Sequence, residues 1–236
     1  MTGCLIIHGY TGSPYEVGPL ADYLREHTDW YVDVPTLPGH GSKLALENVS
    51  HKNWLSAAEN SLKQLKEKTD TIYLIGFSMG GMIAAYLASK HNVNKLVLLA
   101  PSGKYLSFRQ LTRDFKGVVT DGLKGKLKQN NLYLHYKRKW GTVPFKANIE
   151  FLKLVRFTRQ YLNKVTSPVL IAHGQQDMMV PYKTGYYLDK EITSEQKEVV
   201  FFERSKHLIC LGDDNTTLNR MVYEFLMGGK EKNAVR

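Results

Sequence analysis

Short apolar runs alternate with stretches of helical period along most of this chain. Cys4 to Ile7, Trp30 to Val34, Thr71 to Ile75, Lys95 to Leu99, Pro168 to Ala172 and Glu198 to Phe202 read as strands. Their apolar residues run on with few polar interruptions, as in strands covered on both faces. Between them, apolar positions recur at helical spacing from about Pro14 to Glu26, Lys52 to Lys68, Met79 to Lys90 and Asn215 to Leu226. In the second of these, Trp54, Leu55, Ala58, Leu62 and Leu65 fall near one face. Ser13-Pro14-Tyr15-Glu16 has the form of a capping box with proline at the first helical position. Strands alternating with helices predict an α/β fold: a mostly parallel sheet with helices on both faces.

The alternation breaks after Pro101. Residues 102–165 contain no clear strand and are rich in Lys, Arg, Tyr and Phe. The pattern therefore predicts a core of residues 1–101 and 166–236, with a mainly helical cap segment, 102–165, inserted between two strands. Within it, Ile149 to Asn163 is the clearest helix. Phe151, Leu154, Val155, Phe157, Tyr161 and Leu162 share one arc, and Lys153, Arg156 and Arg159 lie opposite. The plain reading packs that arc on the body and leaves the basic face in solvent.

Charge sharpens the boundary. The chain carries a net charge of +10 over 236 residues. Residues 102–165 hold 15 Lys and Arg against 3 Asp and Glu, while the remainder holds 17 against 19. A basic appendage on a near-neutral body argues against a general nucleic-acid binder. It allows weak association of the cap segment with an anionic membrane surface, which vesicle sedimentation at low and high salt would test. With 43% apolar residues the chain can build a sizeable core, and no apolar run is long enough for a membrane span. The N-terminus has no basic leader followed by a long apolar stretch, so the expectation is a soluble, cytoplasmic protein. Cys4 and Cys210 are too few for a disulfide framework and are expected as reduced, buried thiols.

The chemistry centres on Gly76-Phe77-Ser78-Met79-Gly80-Gly81. A predicted strand precedes this Gly-x-Ser-x-Gly run and a predicted helix follows it, the setting of a sharp turn that exposes one serine hydroxyl. Serine is a weak nucleophile unless a base takes its proton and an acid orients that base. Asp177 follows the Pro168–Ala172 strand and His207 follows the Glu198–Phe202 strand, giving the order Ser, Asp, His. The rival acids Asp213 and Asp214 lie after His207, and Pro101-Ser102-Gly103, the other strand end, offers no carboxylate. His8, His40 and His173 stand beside glycines in loops or at strand ends, where histidine serves more often as a structural hydrogen-bonding group. The oxyanion needs backbone donors. The Met79 amide is the first, and the Tyr10 amide, in the loop after the first strand, is the second. No histidine pair has ligand spacing on a predicted helix, so no metal is expected.

His8-Gly9-Tyr10-Thr11-Gly12, Pro38-Gly39-His40-Gly41, Gly76–Gly81, Asp177 and Ser205-Lys206-His207 together resemble the α/β-hydrolase superfamily. Within it the chain is most similar to small bacterial carboxylesterases and monoacylglycerol lipases. The resemblance runs from about residue 4 to 226, weakest in the cap segment. It implies hydrolysis of short- to medium-chain acyl esters, with monoacylglycerols as candidates, through an acyl-serine intermediate and without a cofactor. The first strands of the full superfamily sheet have no counterpart here, so about six strands are expected. Phe151, Leu154 and Phe157 are the candidates for lining an acyl pocket. Thioesterase, peptidase and carbon–carbon hydrolase activities use the same residues, and a non-catalytic ligand-binding protein can share the fold. A peptidase that frees N-terminal residues would favour carboxylates to hold an ammonium. Residues 102–165 supply only Asp114, Asp121 and Glu150.

Overall fold

The computed structural model describes residues 1–104 and 143–228. Six strands form one sheet: β1 (Thr2–Ile7), β2 (Tyr31–Asp33), β3 (Thr71–Phe77), β4 (Lys95–Leu99), β5 (Val169–Gly174) and β6 (Lys197–Phe202). Every pairing is parallel, in the order β2-β1-β3-β4-β5-β6. The described helices are α1 (Gly18–His27), α2 (His51–Lys66), α3 (Met79–Lys90), α4 (Phe145–Arg159), α5 (Lys183–Glu191) and α6 (Asn215–Met227).

The period of two along each strand divides the interior into two cores. Leu5, Ile7, Leu74, Leu96, Leu98 and Ile171 face one way, against α2, α3 and α4. Cys4, Ile6, Ile75, Val97, Leu99 and Leu170 face the other way, against α1 and α6. Apolar residues are therefore needed at successive positions, which is why these strands read as unbroken runs.

Helix α3 is the pivot of the first core. Met79 to Ala85 are all buried, as are Leu87 and Ala88. Its start lies directly on strand backbone. A Cβ at Gly80 would stand 2.2 Å from the Ile7 carbonyl oxygen, and one at Gly76 would stand 2.2 Å from that of Gly80. Only glycine lets the turn sit this close to β1 and β3, so the motif's glycines set where its serine can stand.

Two helices and one expected capping box depart from the sequence pattern. The helix expected from Pro14 opens as a 3-10 turn, Pro14–Val17, and becomes α-helical only at Gly18. The expected capping box at Ser13 does not form: the Ser13 side chain makes no capping hydrogen bond, and the Glu16 carboxylate instead accepts the Gly9 N–H at 3.0 Å. The reciprocal pairing appears at α2, where Asn53 Oδ1 accepts the Ser50 N–H at 2.9 Å. The helix expected over Ile149–Asn163 starts earlier, at Phe145, ends at Arg159 and is followed by a 3-10 turn, Leu162–Lys164.

Helix α4 packs against α2 and α3, and Ala147, Phe151, Leu154 and Val155 belong to the core shared with them. This part of the expected cap segment lies on the helical layer of the body. Glu150 fastens it there. Glu150 Oε2 accepts the His51 N–H at 3.1 Å and lies 2.6 Å from His51 Nδ1, while Oε1 accepts Lys153 Nζ at 2.7 Å. Burial opposes ionisation of Glu150, but the bonds from His51 and Lys153 outweigh it and hold the carboxyl at about 2. The rest of the cap expectation, residues 105–142, lies outside the described residues. Among the described residues no helix is long and apolar enough to cross a membrane.

Candidate active site

Ser78 stands alone between the end of β3 and the start of α3, with φ 54° and ψ −115°. A positive φ on a residue with a side chain costs about 1–3 kcal/mol and persists only when its surroundings enforce it. Here the Ser78 N–H donates to the Leu99 carbonyl at 2.9 Å, and the Ser78 carbonyl accepts from Gly81 N–H at 3.1 Å and Ser102 N–H at 3.2 Å. The strand register and the helix start together hold the hydroxyl in place.

Three distant parts of the chain meet at that hydroxyl. His207 Nε2 is 3.0 Å from Ser78 Oγ, and His207 Nδ1 is 2.6 Å from Asp177 Oδ2. Asp177 Oδ1 accepts the Met179 and Val180 N–H groups at 2.8 Å each, which fixes the carboxylate in its turn. All three side chains are buried. Asp177 accepts, so the proton on the facing side belongs to Nδ1, and Nε2 is left with a lone pair toward Ser78.

Charge favours the same arrangement. Burial disfavours an imidazolium at His207, but the Asp177 carboxylate and the more distant Glu16 charge outweigh it, and the pKa is raised. Burial likewise opposes the Asp177 charge, but His207, His173 and the Val180 N–H hold its carboxyl well below the usual range. The pair is built to keep a carboxylate beside a ring that can take a proton.

The rival residues make other contacts, and one of them, His173, braces the acid, with its Nε2 3.3 Å from Asp177 Oδ2. His8 Nε2 accepts the Leu37 N–H at 3.0 Å, with Nδ1 2.8 Å from the Gly9 carbonyl oxygen. His40 Nδ1 lies 3.0 Å from the Pro38 carbonyl oxygen, and His173 Nε2 lies 2.8 Å from that of Val180. Asp214 accepts the Ser205 hydroxyl at 2.7 Å, tying down the loop that carries His207. Among the described residues no three His, Cys, Asp or Glu side chains gather so as to hold a metal ion.

The two expected oxyanion donors sit in the helix start after Ser78 and in the loop after β1. Met79 opens α3, where a backbone N–H has no acceptor within the helix. Tyr10 sits in the loop after β1, anchored by its side chain. Its ring stacks on Phe151 at 4.7 Å and 5°, meets Trp54 edge-on at 5.9 Å, and its hydroxyl donates to Asn148 Oδ1 at 3.1 Å. Burial raises the phenol's pKa, so it remains a neutral donor. Of the three expected pocket residues, Phe151 is the one that stacks on the Tyr10 ring of this loop. Leu154 is fully buried in the core, and Phe157 packs on Tyr86 and Tyr161.

Two neighbours of the site escaped the sequence reading. Glu16, buried, holds the Tyr10 loop through Gly9 N–H, and a Cβ at Gly12 would strike its carboxylate at 1.8 Å. Ser102 Oγ lies 3.0 Å from Ser78 Oγ. The only signal for Ser102 was its place just after a strand end. For Glu16 it was a carboxylate beside the glycine-bearing loop.

Known proteins resemble this chain over nearly its whole length. A family model described as Hydrolase_4, serine aminopeptidase S33, matches residues 2–214. The chain is 27% identical over 232 residues to a thermostable monoacylglycerol lipase of Bacillus sp. strain H-257, covering 94% of this chain and 89% of the relative. It is 22% identical over 234 residues to a carboxylesterase of Bacillus subtilis strain 168, covering 94% and 91%. The structure of a monoacylglycerol lipase from Paleococcus ferrophilus superposes with a TM-score of 0.73 at 18% identity, over 97% of this chain and 95% of the other.

Proposed function

The chain belongs to the Hydrolase_4 family, and from that membership and the site's geometry we propose that it is a serine carboxylesterase acting on short- to medium-chain acyl esters, with monoacylglycerols as candidate substrates. The observation that carries the reading is the unbroken path from Asp177 Oδ2 through His207 to Ser78 Oγ, at 2.6 and 3.0 Å. Relatives named for ester hydrolysis over nearly the whole chain support it.

In this mechanism Ser78 Oγ attacks the ester carbonyl carbon while its proton passes to His207 Nε2. The carbonyl electron pair moves to oxygen, where the Tyr10 and Met79 amides receive it. The intermediate collapses, the C–O bond to the alcohol breaks, and Nε2 returns the proton to the leaving oxygen. Water then attacks the acyl-serine, again giving its proton to Nε2, and as the Oγ–carbon bond breaks Nε2 returns that proton to Ser78 Oγ and the acid is released. Asp177 stays a carboxylate throughout and offsets the imidazolium charge.

The working compartment we propose is the cytoplasm, in keeping with Cys4 and Cys210, which are buried and unbridged. Burial pushes the Cys210 thiol up to about 12, far from a reactive thiolate. The basic cap segment is the proposed contact with anionic lipid.

The test is turnover of p-nitrophenyl esters of increasing acyl length, with Ser78→Ala in parallel. Activity peaking at short or medium chains and lost in the variant is expected. Activity retained by Ser78→Ala would sink the mechanism. The family description gives peptidase action a claim as second reading. Against it, Glu150 is already bound by His51 and Lys153. Cleavage of aminoacyl p-nitroanilides in preference to esters would decide for that reading.

A further inference from the structure

Ser102 takes no part in the relay above, yet it touches its reacting atom. Its hydroxyl oxygen is 3.0 Å from Ser78 Oγ, and its own N–H donates to the Ser78 carbonyl at 3.2 Å. The residue is only 1% exposed. The chain leading to it is pinned by Ala100 N–H on the Ala172 carbonyl at 2.8 Å, and the next turn closes by Gly103 N–H on Pro101 at 2.9 Å. The end of β4 therefore delivers a second hydroxyl to the nucleophile, at the strand end where the sequence offers no carboxylate.

Proton counting fixes the direction of this contact. A serine hydroxyl has one hydrogen and two lone pairs. With Nδ1–H on Asp177, His207 Nε2 is an acceptor, and the Ser78 hydrogen is committed to it. Ser102 must then be the donor to Ser78 Oγ. A donor already aimed at an oxygen binds more strongly as that oxygen gains negative charge.

We propose that Ser102 is a further catalytic residue, whose hydroxyl donates to Ser78 Oγ and stabilises the charge that builds there in both halves of the reaction. In acylation the charge grows as the Oγ proton moves to Nε2, before the forming Oγ–carbon bond passes it on to the carbonyl oxygen. In deacylation it grows again as that bond breaks, before Nε2 returns the proton to Oγ. The Ser102 proton stays on Ser102 in both. When His207 is protonated the roles exchange: Nε2–H donates to Ser78 Oγ, and the Ser78 hydroxyl turns to Ser102. The nucleophile thus keeps two partners in either protonation state.

The proposal rests on Ser78 being the nucleophile of an ester hydrolase, and the test separates the two ideas. Wild type, Ser102→Ala and Ser102→Thr are compared by ester turnover and by the second-order rate of fluorophosphonate labelling of Ser78. Ser102→Ala should lower kcat and the labelling rate by about tenfold or more, the weight of a hydrogen bond to a charged group. KM should be unchanged, since the bond strengthens only as charge develops. Ser102→Thr, which keeps the hydroxyl, should restore most of the loss. Wild-type rates in Ser102→Ala would overturn the proposal, and so would equal losses in both variants, because the hydroxyl would then not be what matters. Should the wild type label but hydrolyse no ester, the ester reading fails while the labelling rates still decide the role of Ser102. Failure of Ser78 itself to label would remove both.

Discussion

Replacing Asp177 by asparagine exchanges one oxygen for an NH2 group and should silence the site while leaving the fold intact. Asp177 Oδ1 accepts two backbone N–H groups at 2.8 Å, from Met179 and Val180, and Oδ2 faces His207 Nδ1 at 2.6 Å. Asparagine keeps both backbone bonds only if its oxygen takes the Oδ1 position. The flipped amide would leave two N–H donors unmet, at about 1–3 kcal/mol each. The NH2 group is therefore forced toward His207. Because it donates, Nδ1 must offer a lone pair, and the ring proton moves to Nε2. Nε2 then donates to Ser78 and has no place for its proton. In serine hydrolases this tautomer inversion costs about 10,000-fold in kcat, or about 5.4 kcal/mol of transition-state stabilisation. The assay is p-nitrophenyl butyrate hydrolysis above the titration of His207, with thermal melts of both proteins. We expect a folded variant that melts below wild type, because it loses a carboxylate its partners stabilise, and a loss of about four orders of magnitude in activity. A folded Asp177→Asn enzyme within about tenfold of wild type would refute the reasoning, and Asp214 would be the next carboxylate to try.

Glu16 offers a test by pH. Its charge is one of the influences that raise the His207 pKa, and the base must be neutral to act. Glu16→Gln should therefore lower that pKa and move the acid limb of kcat/KM to lower pH; a limb that stays put or rises would contradict the assignment. Glu150 offers one by stability. Its carboxyl is lowered from 4.5 to about 2, so its contribution is full above pH 4.5 and fades as pH falls through about 2. The melting-temperature lead of wild type over Glu150→Gln should be level above that window and shrink within it; a constant lead down to pH 2 would count against the clamp.

Strand and helix positions were legible because burial on both faces leaves so plain a pattern: β3, β4 and β5 could be placed to within a few residues. The meeting of Ser78, Asp177 and His207 was legible too, since a parallel sheet sends every strand's following loop to the same edge. Side chains with two possible partners were not. Glu16 has the spacing of a capping residue, but Gly9 N–H, folded over it, supplies a competing donor that no local pattern reveals. Ser102 could be ruled out as an acid, yet its value as a hydroxyl depends on a 3.0 Å approach to Ser78. The amphipathic arc around Phe151 was read correctly as an apolar face. What it faces depends on tertiary packing: Leu154 goes into the core and Phe151 onto Tyr10.

Long reach within the chain has a consequence for biosynthesis. Ser78 and His207 are 129 residues apart, and the Tyr10 hydroxyl finds Asn148 across 138. On the proposed mechanism, a nascent polypeptide carries its nucleophile through the synthesis of 129 further residues before the base exists. Closures over such separations come late in folding, because the intervening chain must be ordered first. A chain that has not reached His207 is expected to hydrolyse no ester by this route. For the same reason, the return of hydrolysis during refolding would time the joining of Ser78 and His207, not the collapse that precedes it.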